Sequence, residues 1–559
     1  MKLLVTAALA ALMTTTAASA QATREYFTAH AAGQRAPQQL DREARDYYRQ
    51  VFAAIERQDW AGAQALLAQR TGLLHPVAQA ELYLAANSPR VELPQIEAWM
   101  ERGRRLPHAQ RLARLAVTRG AAEAPRLPTE TTFSRRASQP RRVRPGTIND
   151  GTMPDTVRQQ ILERISNDDP DGARLLLDGV DALLSPEARA EWRQRVAWSY
   201  YIENQDAAAL ALAQTVAAGS GPWVSEGDWT AGLAAWRLGD CRLAGSSFER
   251  AARGAHNTEL RSAAWYWASR AALRCRQPER SAELLRSAYS DETLYGMLAA
   301  EQLGRALPVT VETADFSPAD WRQLQGSENV RIAIALMEIG RDDLASQVLI
   351  HEAKIGDQRN YAALTRLARD LGMPQTQLYF AYNAPAGADP DPSSRYPAPK
   401  VMPSNGWHID PALAFAHTLQ ESNFRPRAVS PAQAQGLMQI TPITVREHAP
   451  RLGLSASQVD IFDPGTNLAF GQRNLQMLRD APATRGRLPQ VMAAYNAGLT
   501  PVTRWNSEVR DLGDPLLYME SIPYWETRSY VAIVMRNYWM YERQARAPSA
   551  SRAAVAQND

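Results

Sequence analysis

The sequence predicts a mainly α-helical, multidomain chain: a superhelix of stacked helix pairs, a helical linker domain, and a compact helical module at the carboxyl end. Three observations predict it. From residue 40 to 380 a polar turn followed by alanine and leucine at helical spacing recurs, several times at a distance of about 35 residues, the size of a tetratricopeptide-like helix pair. Helix-starting Asp-Pro and Thr-Pro pairs punctuate the last third. A chain of 559 residues is also too long for one core and divides into roughly three or four domains.

Taken in order, the chain opens on Lys2, an apolar run from Leu3 to Met13, and Ala18-Ser19-Ala20. This reads as a secretory signal, residues 1–20, with a small-residue cleavage site, and it is too short for a membrane span. No cysteine follows the cut, so no lipid anchor is expected, and the mature chain is expected to be soluble outside the cytoplasm.

The repeats are visible in Asp59-Trp60, Asp171-Gly172, Asp206-Ala207, Asp240-Cys241, Pro278-Glu279 and Asp343-Leu344, each leading into an Ala/Leu stripe. Alanines let neighbouring helices approach and leucines fill the seam, so 21–290 is assigned to the superhelix. Within it, 120–154 is rich in Pro, Thr, Ser and Arg and reads as an exposed insert. Residues 291–383 form the helical linker domain and proline-dense 384–406 a boundary. The module is 407–543, and 544–559 lacks periodicity and is expected to be a disordered tail.

Charge excludes more than it selects. With 62 basic against 59 acidic residues and a net charge of +3, there is no nucleic-acid footprint. A mildly basic chain suits an anionic polymer, as do many unrelated enzymes. The two cysteines, Cys241 and Cys275, are too few for a disulfide scaffold; they either pair with each other or are two separately buried thiols.

The candidate acid is Glu421. Asp410-Pro411 starts a helix and Pro426 breaks it soon after, so the glutamate falls in the last turn. There the negative end of the helix dipole disfavours an ionised carboxylate, and burial pushes the same way. Downstream come Gly436-Leu437-Met438-Gln439, then Ala494-Tyr495-Asn496-Ala497-Gly498, then Ile522-Pro523-Tyr524-Trp525-Glu526-Thr527-Arg528-Ser529-Tyr530-Val531. Helices are expected from Pro442, from Pro464, over 488–496 with Gly498 as a left-handed stop, and from Pro523. Of the nearby acids, Asp463 reads as an N-cap and Glu447 as a surface residue, so the motif blocks offer an acid and no evident nucleophilic carboxylate.

Glu-Ser, Gly-Leu-Met-Gln and Ala-Tyr-Asn-Ala-Gly, in this order and at about this separation, resemble the catalytic domain of the bacterial soluble lytic transglycosylases, glycoside hydrolase family 23. Tyr295-Gly296-Met297-Leu298-Ala299-Ala300 likewise resembles the passage from that family's superhelix into its linker domain. The resemblance implies a lysozyme-like catalytic domain and an exported enzyme of the periplasm. It implies cleavage of the β-1,4 bond between N-acetylmuramic acid and N-acetylglucosamine in peptidoglycan, with 1,6-anhydro-N-acetylmuramic acid as product. Glu421 becomes the acid and base; Ser430, Met438, Gln439, Tyr495, Asn496 and Glu520 become substrate-binding residues. Glu520 is expected to position Tyr495 or Gln439. Thr441 stands where the family commonly has methionine. No cofactor or metal is implied. The partners implied are peptidoglycan strands and other cell-wall enzymes, with no nucleic acid and no membrane anchor, for a monomer. Two readings compete: a hydrolytic muramidase on the same fold, and a non-catalytic glycan- or protein-binding scaffold.

Overall fold

The computed structural model describes residues 18–289, 292–307, 315–388 and 390–557. Nearly all of the regular structure is helical, as expected. One strand pair, Ser134–Arg135 with Asn383–Ala384, is the exception among the described residues. Most of the signal segment lies outside the described residues. From residue 18 a helix runs to 32, and Thr23 on it donates to Asp410 Oδ1 at 2.6 Å.

The chain forms two compact units. One contains Gln139–Val311 and Pro403–Asp559 together with Met1–Glu25. The other contains Tyr26–Ser138 and Glu312–Met402. The single superhelical domain expected over 21–290 is therefore divided. Its first helices, from Arg42–Glu56 to Ala109–Thr118, share one core with Glu328–Glu338, Asp342–Ile355 and Tyr361–Asp370. Val51, Ile96 and Leu112 meet Val330, Leu349 and Leu367 in that core.

In the first unit, helices Pro186–Ile202, Asp206–Thr215, Trp223–Leu238, Cys241–Gly254 and Thr258–Arg274 each pack on the next, which is the stacked-pair pattern read from the repeats. The polar turns do local work: Asp59, Asp169 and Asp240 each accept the backbone N–H three residues on, satisfying an otherwise orphaned helix donor. Buried Trp192, Trp229 and Trp267 fill the seams that alanines leave open. Cys241 and Cys275 lie at one helix start and one helix end, with Cα atoms 5.6 Å apart, and are joined as a disulfide.

Of three segments read from composition, the tail is corrected. The 120–154 segment is largely exposed and is anchored at points: 134–135 pairs with 383–384, the Thr131 N–H donates to Lys354 O, and the Arg142 side chain pairs with Glu226. The 384–406 stretch is irregular, yet Tyr396 and Ala398 are buried in it. The tail forms a helix, Ala550–Gln557; Arg552 pairs with Glu301 at 2.8 Å, and Gln302 donates to Ala556 O at 2.9 Å. Proline and arginine content predicts irregular backbone.

Candidate active site

Glu421 lies on the helix Pro411–Ser422. Its N-cap Asp410 accepts from Ala412 N and also from Thr23 and Tyr538, so the start of this helix is held from three sides. At the other end Asn423 takes the left-handed conformation that stops a helix, φ 50° and ψ 41°. Glu421 is thus one residue from the last helical position, as read from the sequence. Its carboxyl is pushed up to about 7, chiefly because burial penalises the charge; a hydrogen bond from Tyr530 pulls down and the charge of Glu526 adds to the rise.

Tyr530 is the residue that organises this carboxyl. It projects from the long helix Trp525–Gln544, which packs against the Glu421 helix, and donates to Glu421 Oε1 at 2.6 Å. The Tyr530 proton is committed to Glu421, so the 2.8 Å contact with His417 Nδ1 requires His417 to donate from that nitrogen. His417 is fully buried and its pKa is lowered to about 3 by that burial, so it is a neutral donor. It sits four residues before Glu421, on the same helix face. The phenol therefore occupies one carboxyl oxygen, and the other can carry a proton outward.

Tyr495 and Asn496 end the helix Leu488–Ala497, which packs on the same long helix. The Tyr495 ring lies 4.5 Å from that of His417 and its hydroxyl donates to Met438 O at 2.8 Å. Burial and the Glu421 charge both push this phenol up. Asn496 Oδ1 accepts from Thr527 Oγ1 at 2.7 Å, and Thr527 and Tyr530 share one face of their helix. Gly498, expected as a left-handed stop, instead has φ 89° and ψ 165°; it joins this helix directly to Leu499–Glu508.

The Gly-Leu-Met-Gln loop is pinned by a residue the sequence did not single out. Asn467, buried on helix Pro464–Asp480, accepts from Met438 N at 2.7 Å and donates to Gln435 O and Ile461 O. A side chain on Gly436, φ 77°, would collide with it: an added Cβ would stand 2.2 Å from Asn467 Nδ2. Gln439, φ 50°, is half-buried and donates its amide to Gly436 O and Ala428 O. Ser430 Oγ accepts from Ala434 N, so its hydroxyl shapes this loop.

Three roles change. Met438 is fully buried, its sulfur lying where a Cβ on Gly471 would be, and its carbonyl accepts from Tyr495. Glu520 is buried and accepts from Tyr295 at 2.6 Å; among the described residues it bonds neither Tyr495 nor Gln439. The carboxylate whose charge reaches Glu421 is Glu526, in the same quoted block but left without a role. Thr441 caps the helix Pro442–His448 by accepting from Thr444 N.

A buried carboxyl held near neutrality beside two phenols and a carboxamide can donate a proton and take one back. Residues 401–517 match the transglycosylase SLT domain. That match identifies the domain over those residues alone. The soluble lytic murein transglycosylase of Escherichia coli K12 is 27% identical over 288 residues, 48% of this chain and 42% of that protein. A membrane-bound lytic murein transglycosylase C of Histophilus somni is 35% identical over 113 residues, 19% of this chain and 31% of that one. The chain thus matches less than half the length of these relatives. The fold is that of the 70-kDa soluble lytic transglycosylase of E. coli, at TM-score 0.51 and 17% identity over 91% of this chain and 98% of that one. An inactive variant of the lytic transglycosylase Slt from Pseudomonas aeruginosa superposes equally, at TM-score 0.52 and 19% identity over 90% and 86%.

Proposed function

We propose that this chain is a lytic transglycosylase that cuts peptidoglycan between N-acetylmuramic acid and N-acetylglucosamine, outside the cytoplasm. The observation that carries this reading is the Glu421 carboxyl, raised to about 7 with one oxygen held by Tyr530. Its protonated free oxygen gives its proton to the glycosidic oxygen as the bond to the anomeric carbon breaks. The cation that develops there is met by the carbonyl oxygen of the sugar's own 2-acetamido group, as in substrate-assisted glycosidases. Glu421, now a carboxylate stabilised by the Tyr530 hydroxyl, removes the proton of the muramoyl 6-hydroxyl. The 6-oxygen closes on the anomeric carbon, and Glu421 is protonated again for the next turn. No water is consumed.

Tyr495 and Asn496 are proposed to line the acetamido side, where the phenol also anchors the Met438 carbonyl and Thr527 orients the amide. Gln439 and Ser430 support the groove through the loop they hold. Glu520 takes a positioning part by fixing the end of the helix Pro515–Ser521 on Tyr295. The apolar start of the chain and the disulfide support export; among the described residues no helix is long and apolar enough to cross a membrane. Digestion of purified cell wall in oxygen-18 water tests the reaction. Products should end in 1,6-anhydro-N-acetylmuramic acid, lighter by one water than hydrolytic ends and free of label. Label at the anomeric carbon in most products would make water the nucleophile and the enzyme a muramidase.

A further inference from the structure

His417 is completely buried on the Glu421 helix, and the reaction proposed for Glu421 gives it no part. Its ring lies 4.5 Å from that of Tyr495 and 5.9 Å from that of Tyr530, and its Nδ1 stands 2.8 Å from the Tyr530 hydroxyl. Nε2 is buried with no hydrogen-bond partner. For packing alone a leucine would fill this place without stranding a nitrogen, because a polar atom taken out of water unpaired costs stability. The one ring nitrogen that has a partner touches the phenol bound to Glu421.

Tyr530 has a single proton and two neighbours that could take it, Glu421 Oε1 at 2.6 Å and His417 Nδ1 at 2.8 Å. With its own proton on Nε2, the imidazole would accept at Nδ1 and compete with Glu421 for the phenol. It would also leave a buried N–H with nothing to receive it. With the proton on Nδ1, the ring donates to the phenol oxygen, Glu421 is the acceptor left to the phenol, and the stranded atom is a bare lone pair. Burial lowers the ring's pKa to about 3, so this donor adds no charge beside the acid near neutrality.

We propose that His417 is a positioning residue for the acid: its Nδ1–H holds the Tyr530 hydroxyl with the proton turned to Glu421, and makes that hydroxyl a stronger donor to the carboxylate. It acts through Tyr530 and, being buried, meets no substrate. Its part in the reaction rests on Glu421 being the acid. Tyr530 and Tyr495 face the imidazole, Glu421 lies beyond the phenol, and the charge of Glu526 reaches Glu421. All four groups remain when residue 417 is changed, so a shift at Glu421 reads the lost donor.

Solid-state nitrogen-15 spectra of the full-length protein, labelled at its histidines, test the tautomer without substrate. The resonances lost in His417→Leu should be those of a neutral ring protonated at Nδ1, at pH 5 and at pH 8 alike. Protonation at Nε2 would overturn the proposal. Melting curves and turnover of purified cell wall against pH read the consequence. In His417→Leu the alkaline limb of turnover, and the upper edge of the pH range over which stability falls, should both move up by about half a pH unit, roughly threefold in the acid constant. KM should not change. His417→Asn, whose amide places an N–H where Nδ1 stood, should restore both. In a Tyr530→Phe background His417→Leu should move the limb no further, the mark of action through the phenol. An unmoved limb and stability edge in folded His417→Leu, or a further shift in the Tyr530→Phe background, would each overturn the proposal. If the wild-type chain cuts no cell wall, the functional reading fails, and the tautomer and the stability edge still decide this one.

Discussion

Glu421 and Tyr530 form a pair whose parts have opposite effects on one proton. Burial disfavours the carboxylate, and the phenol's hydrogen bond favours it. As the proposed acid, Glu421 works while protonated, so turnover should decline as pH rises through about 7. Glu421→Gln should lower turnover roughly 10²- to 10⁴-fold while the fold and glycan binding persist. Near-wild-type turnover would remove the assignment. The same shift carries a stability signature. The folded-state pKa, about 7, lies above the ordinary 4.5, so between these values the folded chain holds more proton than the unfolded one and stability falls as pH rises. Relative to wild type, Glu421→Gln should therefore melt higher at pH 8 than at pH 5. Tyr530→Phe removes the donor that favours the carboxylate. Its pH profile should keep an alkaline limb, moved to higher pH, with turnover reduced; an unmoved limb would leave the phenol a packing residue only.

At the scale of elements, the site is three helices and one pinned loop. The loop holds because Asn467 uses its carboxamide on three backbone groups at once: Met438 N, Gln435 O and Ile461 O. Asn467→Ala leaves these without that partner in a buried place, which costs about 1–3 kcal/mol per unsatisfied group. Urea unfolding should show a loss of at least that size, with turnover falling because the Met438 carbonyl that Tyr495 grips is no longer fixed. Unchanged stability would mean that the loop holds itself. The Glu421 helix was legible because its signals are local: Asp410-Pro411 at the start and a left-handed Asn423 at the end. Tyr530 lies 109 residues away in sequence and carries no local mark of its role. The nearest signal was the i, i+3 spacing of Thr527 and Tyr530 within a motif block, which places both on one face.

At the scale of the whole molecule, the terminal helix Ala550–Gln557 docks through Arg552 to Glu301, Gln302 to the Ala556 carbonyl, and Trp539 Nε1 to Ser551 Oγ at 3.0 Å. Ser549 also donates to buried Glu542 at 2.5 Å. Deleting 548–559 should therefore lower the melting temperature, by about 2 °C or less for each kcal/mol lost in a unit this large. A dangling tail would leave it unchanged, so calorimetry of the truncated chain decides.

The sequence by itself determined the helical class, the repeat, and the start and stop of the Glu421 helix. Each of these rests on spacing along the chain: a helical period, a cap, a stop, or a motif whose residues stand a few positions apart. Tertiary structure alone decided which segments share a core, so that 26–138 joins 312–402. It also decided that Glu520 turns to Tyr295, that Met438 is buried, and that Tyr530 holds Glu421. The physical reason is that a hydrogen bond or a buried contact depends on distance in space. Two residues more than 100 positions apart acquire that distance only when the helices carrying them pack.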